Sequence, residues 1–113
     1  MRPEDEVRIR HLLDAGSKAL EYSSGKTRDD LSEDEVLRLA LTKLVEIVGE
    51  AAKQVSTETS SEYPTVPWSA AARMRDRLVD HYFDIDLDVL WATITDDLPA
   101  LLSALPPLPE LEL

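Results

Sequence analysis

An all-α fold is predicted for this chain of 113 residues, an up-down bundle of four main helices followed by a short C-terminal helix. Three observations carry that prediction. Three glycines and one phenylalanine stand against abundant Leu, Ala, Glu and Asp, a composition that favours helix over sheet. Apolar residues recur at helical spacing over long stretches, and no stretch sustains the alternation of a strand. Ser23-Ser24-Gly25 and a polar run holding two prolines divide the chain into helix-length pieces.

The first helix is expected to open at Pro3, whose missing N–H costs little in a first turn, with Glu4, Asp5 and Glu6 facing the positive end of the helix dipole. Positions 9, 13, 16 and 20 and positions 12, 15, 19 and 22 form two rows that merge into one broad buried stripe ending near Tyr22. Gly16 within it permits close approach of another helix. A second start is read at Ser32, three residues before Glu35, the spacing of a capping box. From there Leu37, Leu41, Leu44, Val48, Ala51 and Val55 mark the seam of a long straight helix, the spine of the bundle. Gly49-Glu50-Ala51-Ala52 narrows its surface where a neighbour crosses. Residues 56–67, with two prolines, are expected to be a loop without helix. Trp68 opens the third helix, with Ala71, Met74, Leu78, Tyr82 and Ile85 on one face. Asp84 to Asp88 offers N-caps for a fourth, carrying Leu87, Leu90, Trp91 and Ile94. Pro99 suits the first turn of a further short helix reaching Leu105. The domain is therefore placed at residues 1–105, and residues 106–113 form a Pro-rich tail.

With no cysteine, thiolate metal sites, disulfides and cysteine nucleophiles are excluded, and a reducing cytoplasm suits the chain. No apolar run is long enough for a signal peptide or membrane span, so a cytoplasmic protein without membrane contact is expected. Twelve basic residues against 23 acidic ones give a formal charge of −11. That balance argues against a broad nucleic-acid footprint, and no DNA partner is expected, whereas a basic partner or a small local RNA site remains compatible.

Chemistry-bearing residues concentrate between Arg73 and Trp91. The run Arg75-Asp76-Arg77-Leu78-Val79-Asp80-His81-Tyr82 resembles the signature of the HEPN superfamily, an arginine followed four to six residues later by a histidine near a helix end. It is most similar to the HepT-like branch, where the run reads Arg-Asn/Asp-x-x-x-His-x-Tyr. Arg75, Asp76 and Tyr82 fit that pattern, while Asp80 fills the histidine position and His81 follows one place later. Ile47-Val48-Gly49-Glu50-Ala51-Ala52, Val66-Pro67-Trp68, Tyr82 to Trp91 and Asp97-Leu98-Pro99 resemble further HepT-like segments, in the same order along almost the whole chain. The resemblance implies a helical homodimer whose two signature helices line a composite cleft. It further implies metal-independent cleavage of an RNA substrate without a cofactor. Restraint by a cognate nucleotidyltransferase antitoxin that transfers AMP to Tyr82 is implied as well.

Such cleavage needs a group to take the 2′-hydroxyl proton, one to protonate the leaving oxygen, and a cation to hold the phosphate. Arg75 suits the last role, since its fork grips two phosphate oxygens. Asp80 and His81 are the candidates for proton transfer, with Asp76 and Glu50 in support; Glu50 is expected to orient Arg75 from the neighbouring helix. On an ideal helix Tyr82 lies about 20° from Arg75, but Asp80 about 140° and His81 about 120° to either side. An aspartate repels phosphate and is a poor acid at neutral pH. Three explanations of Asp80 stand: His81 has taken the role, the chain is a natural inactive relative, or the histidine was replaced to make the protein tolerable to its host. A non-catalytic module that binds a nucleotidyltransferase is the rival reading. Apart from the resemblance, Arg73, Arg77, Asp80 and Asp84 read as a solvated charge ladder, a reading that Arg77 keeps with it, and His11 reads as a surface residue.

Overall fold

In a computed structural model, residues 1–80, 84–106 and 108 are described, with Val79 and Asp80 described by their backbone only. The described residues are predominantly helical. Helix α1 spans Pro3–Ser23, α2 Arg28–Glu33, α3 Glu35–Gln54, α4 Thr57–Glu62, α5 Trp68–Ala72 and α6 Met74–Leu78. Two short antiparallel strands follow, β1 (Val79–Asp80) and β2 (Asp84–Ile85), then α7 (Leu87–Ala92), a π-helical turn over Thr93–Asp97, and α8 (Leu98–Ala104).

Helix α3 lies at the centre, packed against α1, α5 and α6, while α8 lies against α1 and α7 against α2. The core joins Ile9, Leu12 and Ala19 of α1 to Leu41, Val45 and Val48 of α3, Met74 and Leu78 of α6, and Leu90, Ile94, Leu98 and Leu101 from the C-terminal region. The expected stripe on α1 is narrower than its two rows: Ile9, Leu12, Ala15, Gly16 and Ala19 are buried, but Leu13 and Tyr22 are 38% and 46% exposed. Both rows contribute buried residues, and the exposed positions are Leu13 in the first row and Tyr22 at the end of the second.

Several local expectations are corrected. Ser32 does not cap the long helix; it sits inside α2, and Asp34 is the cap, accepting the Leu37 N–H at 3.0 Å. An Asx side chain one residue before the helix reaches the orphan N–H as well as a serine further back. A separate box opens α2, where Asp30 accepts the Thr27 N–H at 2.7 Å. The expected loop over residues 56–67 contains a helix, α4, ahead of its prolines, with Ser56 as N-cap accepting the Thr59 N–H.

That helix is pinned by a carboxylate. Asp5, 3% exposed, accepts from the Ser56 N–H at 2.9 Å and from the Ser56 and Thr59 hydroxyls at 2.6 Å each. Expected only as a dipole partner in the first turn of α1, it instead joins α1 to α4.

The third helix opens at Trp68 as expected, passes through a one-residue irregularity at Arg73, and stops at Leu78, short of the expected Tyr82 and Ile85 face. Val79 and Asp80 are poor helix formers. Their backbones pair with Asp84 and Ile85, and the Leu78 carbonyl at the helix end accepts the Asp86 N–H at 2.7 Å. Of the candidate caps between Asp84 and Asp88, Asp86 is the one that caps α7, accepting the Asp88 and Val89 N–H groups.

The expected fourth and C-terminal helices run on without a break, through the π turn. Pro99 lacks an N–H and its ring would strike the carbonyl four residues back. Widening the preceding turn, where the Leu98 N–H reaches Thr93, lets the helix continue past it.

Two glycines allow close crossings. A Cβ at Gly49 would stand 3.3 Å from the Arg75 Cβ and 3.4 Å from the Arg75 backbone N, whereas one at Gly16 would meet only the tip of the Leu102 side chain. Gly49→Leu is therefore expected to destabilise the fold by about 1–3 kcal/mol through overpacking against backbone. Gly16→Ala should be near neutral, because Leu102 can rotate and alanine favours helix by up to about 1 kcal/mol. Paired thermal melts check this; equal losses from both would contradict it.

Candidate functional site

Arg75 stands on α6, a segment carried close to α3 by Gly49. One residue along α3, Glu50 reaches across, and its Oε1 accepts from the Arg75 Nη1 at 2.8 Å. The expected meeting of these two side chains is thus present. Both are about half exposed, at 53% and 45%, so the pair orients the guanidinium more than it stabilises the fold. With one edge held by Glu50, the remaining N–H groups of the Arg75 fork stay open to an anion.

Two clefts flank the pair. One, of about 230 Å³, lies between α1 and α3 and is lined by Arg8, His11, Lys43, Glu46, Glu50 and Arg75 among others. The other, of about 140 Å³, lies between α3 and the α5–α6 segment and includes Lys53, Arg73, Arg75 and Asp76. Five of the twelve lysines and arginines, Arg75 included, therefore line these clefts, accompanied by three of the 23 carboxylates, Glu46, Glu50 and Asp76. A chain of charge −11 thus presents a local excess of positive charge around Arg75. A cleft with a net excess of one sign of charge favours ligands of the other, and each of these has three cations to two carboxylates.

The other candidate residues are placed as follows. Asp76 lines the second cleft. The Asp80 backbone lies in β1 opposite Asp84, beyond the end of α6, so its angular relation to Arg75 on an ideal helix no longer applies. Its side chain, and the whole of His81 and Tyr82, lie outside the described residues. Arg77 approaches Asp97 at 3.8 Å, both about half exposed, in keeping with the surface-charge reading. His11 is exposed, as expected, yet it lines the cleft that holds Arg75, which the sequence reading missed. A signal for it exists in retrospect: Arg8 and His11 on α1, and positions 43, 46, 47, 50 and 54 on α3, fall at helical spacing beside the buried seams. Among the described residues, no cluster of three His, Asp or Glu side chains is spaced to hold a metal ion. Nor is any described helix long and apolar enough to cross a membrane.

Fold and site together define a small helical domain in which an exposed arginine, paired with a glutamate, stands between two clefts on the segment that crosses its central helix. The chain belongs to the ribonuclease HepT-like family, whose model matches residues 12–108. It is 35% identical over 101 residues to the "Gamma-glutamylcyclotransferase and putative RNase MJ0434" of Methanocaldococcus jannaschii, covering 89% of this chain but only 46% of that longer protein. It is 36% identical over 89 residues to the "Probable ribonuclease HepT" of Thermococcus cleftensis, with 75% of this chain and 81% of the relative covered. A "Putative RNase MJ0127" from M. jannaschii shares 29% over 99 residues, covering 86% of this chain and 82% of its own. No solved structure matches the chain.

Proposed function

We propose that the chain is a metal-independent endoribonuclease, the toxin of a toxin–antitoxin pair. In this reading it acts as a homodimer in which two copies of α6 face one another, and a cognate nucleotidyltransferase restrains it by transferring AMP to Tyr82. The observation that carries the reading is the gathering of cations around Arg75 in an otherwise acidic protein. Membership of a ribonuclease family gives that gathering its substrate class.

In the reaction, the Arg75 fork grips two non-bridging oxygens of the scissile phosphate, and Glu50, a positioning residue, holds the guanidinium in line. The 2′-hydroxyl gives up its proton, its oxygen bonds to phosphorus, and the 5′-oxygen of the next nucleotide departs with a proton. Asp80 and His81 supply the proton transfers. Arg75 stabilises the charge that grows on the phosphate as the new bond forms.

Purified protein incubated with tRNA or total RNA in the presence of EDTA tests this directly. Cleavage by the chain, rising on Asp80→His, is the expected result, because a histidine near neutral pKa moves protons where an aspartate does so poorly. Absence of cleavage from both forms at every dose would overturn the nuclease reading. Aspartate at position 80 favours one alternative in that event, a non-catalytic module that keeps its nucleotidyltransferase partner. Co-expression with the partner then separates the remaining claims: mass spectrometry should find one AMP on Tyr82, and an unmodified Tyr82 in a stable complex would remove the modification.

A further inference from the structure

We infer that Arg8, His11 and Lys43 form a second RNA subsite, which holds the next two phosphates of a strand whose scissile phosphate is gripped by Arg75. The inference rests on the ribonuclease reading and adds to it a requirement for substrate length. The larger cleft runs from Arg75 and Glu50 along one face of α3 to the wall made by α1, so a strand anchored at Arg75 has a continuous path to Arg8.

Beyond Arg75, the cations along that path are little engaged by the described residues. Arg28 is tied to Asp88 at 2.7 Å and Arg38 to the Leu31 carbonyl at 2.8 Å, both holding helices together. By contrast, Arg8 and His11 make no ion pair or side-chain hydrogen bond with any described residue. Lys43 has only Glu46, at 4.0 Å, with the lysine 72% exposed, a contact worth little against a phosphate. Arg8 and Lys43 face a common space from two helices, an arrangement that serves a bound anion and otherwise places like charges together. The floor of the cleft includes Ile47 and Ala51, an apolar surface against which a base can lie, while Gln54 offers both a donor and an acceptor to a base edge. Glu46 and Glu50 also line it, each facing a cation, and they discourage an anion from binding where no cation stands.

Binding of a labelled, non-cleavable 2′-O-methyl single strand, measured by fluorescence anisotropy across a salt series, decides the matter without relying on catalysis. Arg8→Ala/Lys43→Ala is expected to weaken binding at least about 10-fold at low salt. The slope of log K against log salt should become shallower by about 1.4, or about 0.7 for each phosphate of the single strand that no longer meets a cation. A dinucleotide, too short to reach both sites, should bind the double variant and the wild type alike. Lys26→Glu, with the same two-unit charge change in the exposed turn after α1, serves as control and should lose far less. Wild-type affinity in the cleft variant, with Arg75→Ala still weakened, overturns the subsite and leaves the RNA reading intact. Equal losses in the control overturn it too, since they report net charge alone. If the wild-type chain binds no RNA, both proposals fail together.

Discussion

Arg75→Ala is expected to lower RNA cleavage by at least about 10²-fold, the cost of removing one charge-stabilising donor from a reaction at phosphorus. The same substitution should leave the fold nearly untouched, because Arg75 is 53% exposed and its pair with Glu50 is a surface contact worth under about 1 kcal/mol. The separation of the two effects is what makes the experiment informative. Arg75→Lys keeps the charge but loses the planar fork, so it should fall between alanine and wild type. Glu50→Gln provides the companion: the guanidinium keeps a hydrogen-bond acceptor but loses the fixed counter-charge, so KM should change more than the melting temperature. Wild-type cleavage by Arg75→Ala, in protein that melts normally, would remove Arg75 from the mechanism.

The second large effect falls far from the clefts. Asp5→Ala should destabilise the protein by about 1.5–3 kcal/mol, since it leaves the Ser56 and Thr59 donors without the charged acceptor that joins α4 to α1. The pH dependence follows from the same contacts. Burial alone would raise the Asp5 pKa, but the Ser56 side chain, Thr59, the Ser56 N–H and the charge of Arg2 together hold it below the ordinary carboxylate value. A carboxyl with a lowered folded-state pKa contributes stability above the unfolded value of about 3.9 and loses it as pH falls through the folded value. The difference in melting temperature between wild type and Asp5→Asn should therefore be full near neutrality and shrink below about pH 4. A gap that stays constant into acid would show that Asp5 holds α4 by packing rather than by charge.

Part of the site was legible, Arg75 through the resemblance of its run to a family signature and Glu50 through its place in the chain. Glu50 follows a glycine in the middle of an apolar seam, and a carboxylate beside a close helix crossing needs a partner; Arg75 is that partner at 2.8 Å. The end of the signature helix was not legible, because the 3-4 spacing of Ala71, Met74 and Leu78 continues formally through Tyr82. What stops the helix is the Leu78 carbonyl taking the N–H of Asp86, eight residues along, an interaction that no local pattern encodes. Asp5 was misread for a similar reason. An acid in a first helical turn is explained by the dipole alone, and only the fold reveals the hydroxyls of Ser56 and Thr59 above it.

Taken by itself, the sequence determined the helical class, the start of α1 at Pro3, the main seam of α3 and a set of candidate caps before α7 that includes Asp86. Each of these depends on interactions within a few residues, where propensity, capping and periodicity act. Tertiary structure decided which side of α1 is covered, where α6 ends, what Asp5 holds, and that Arg8, His11 and Lys43 share a cleft with Arg75. Those outcomes depend on helices distant in sequence meeting around α3, and the free energy of such meetings resides in shapes and charges that neither segment carries alone.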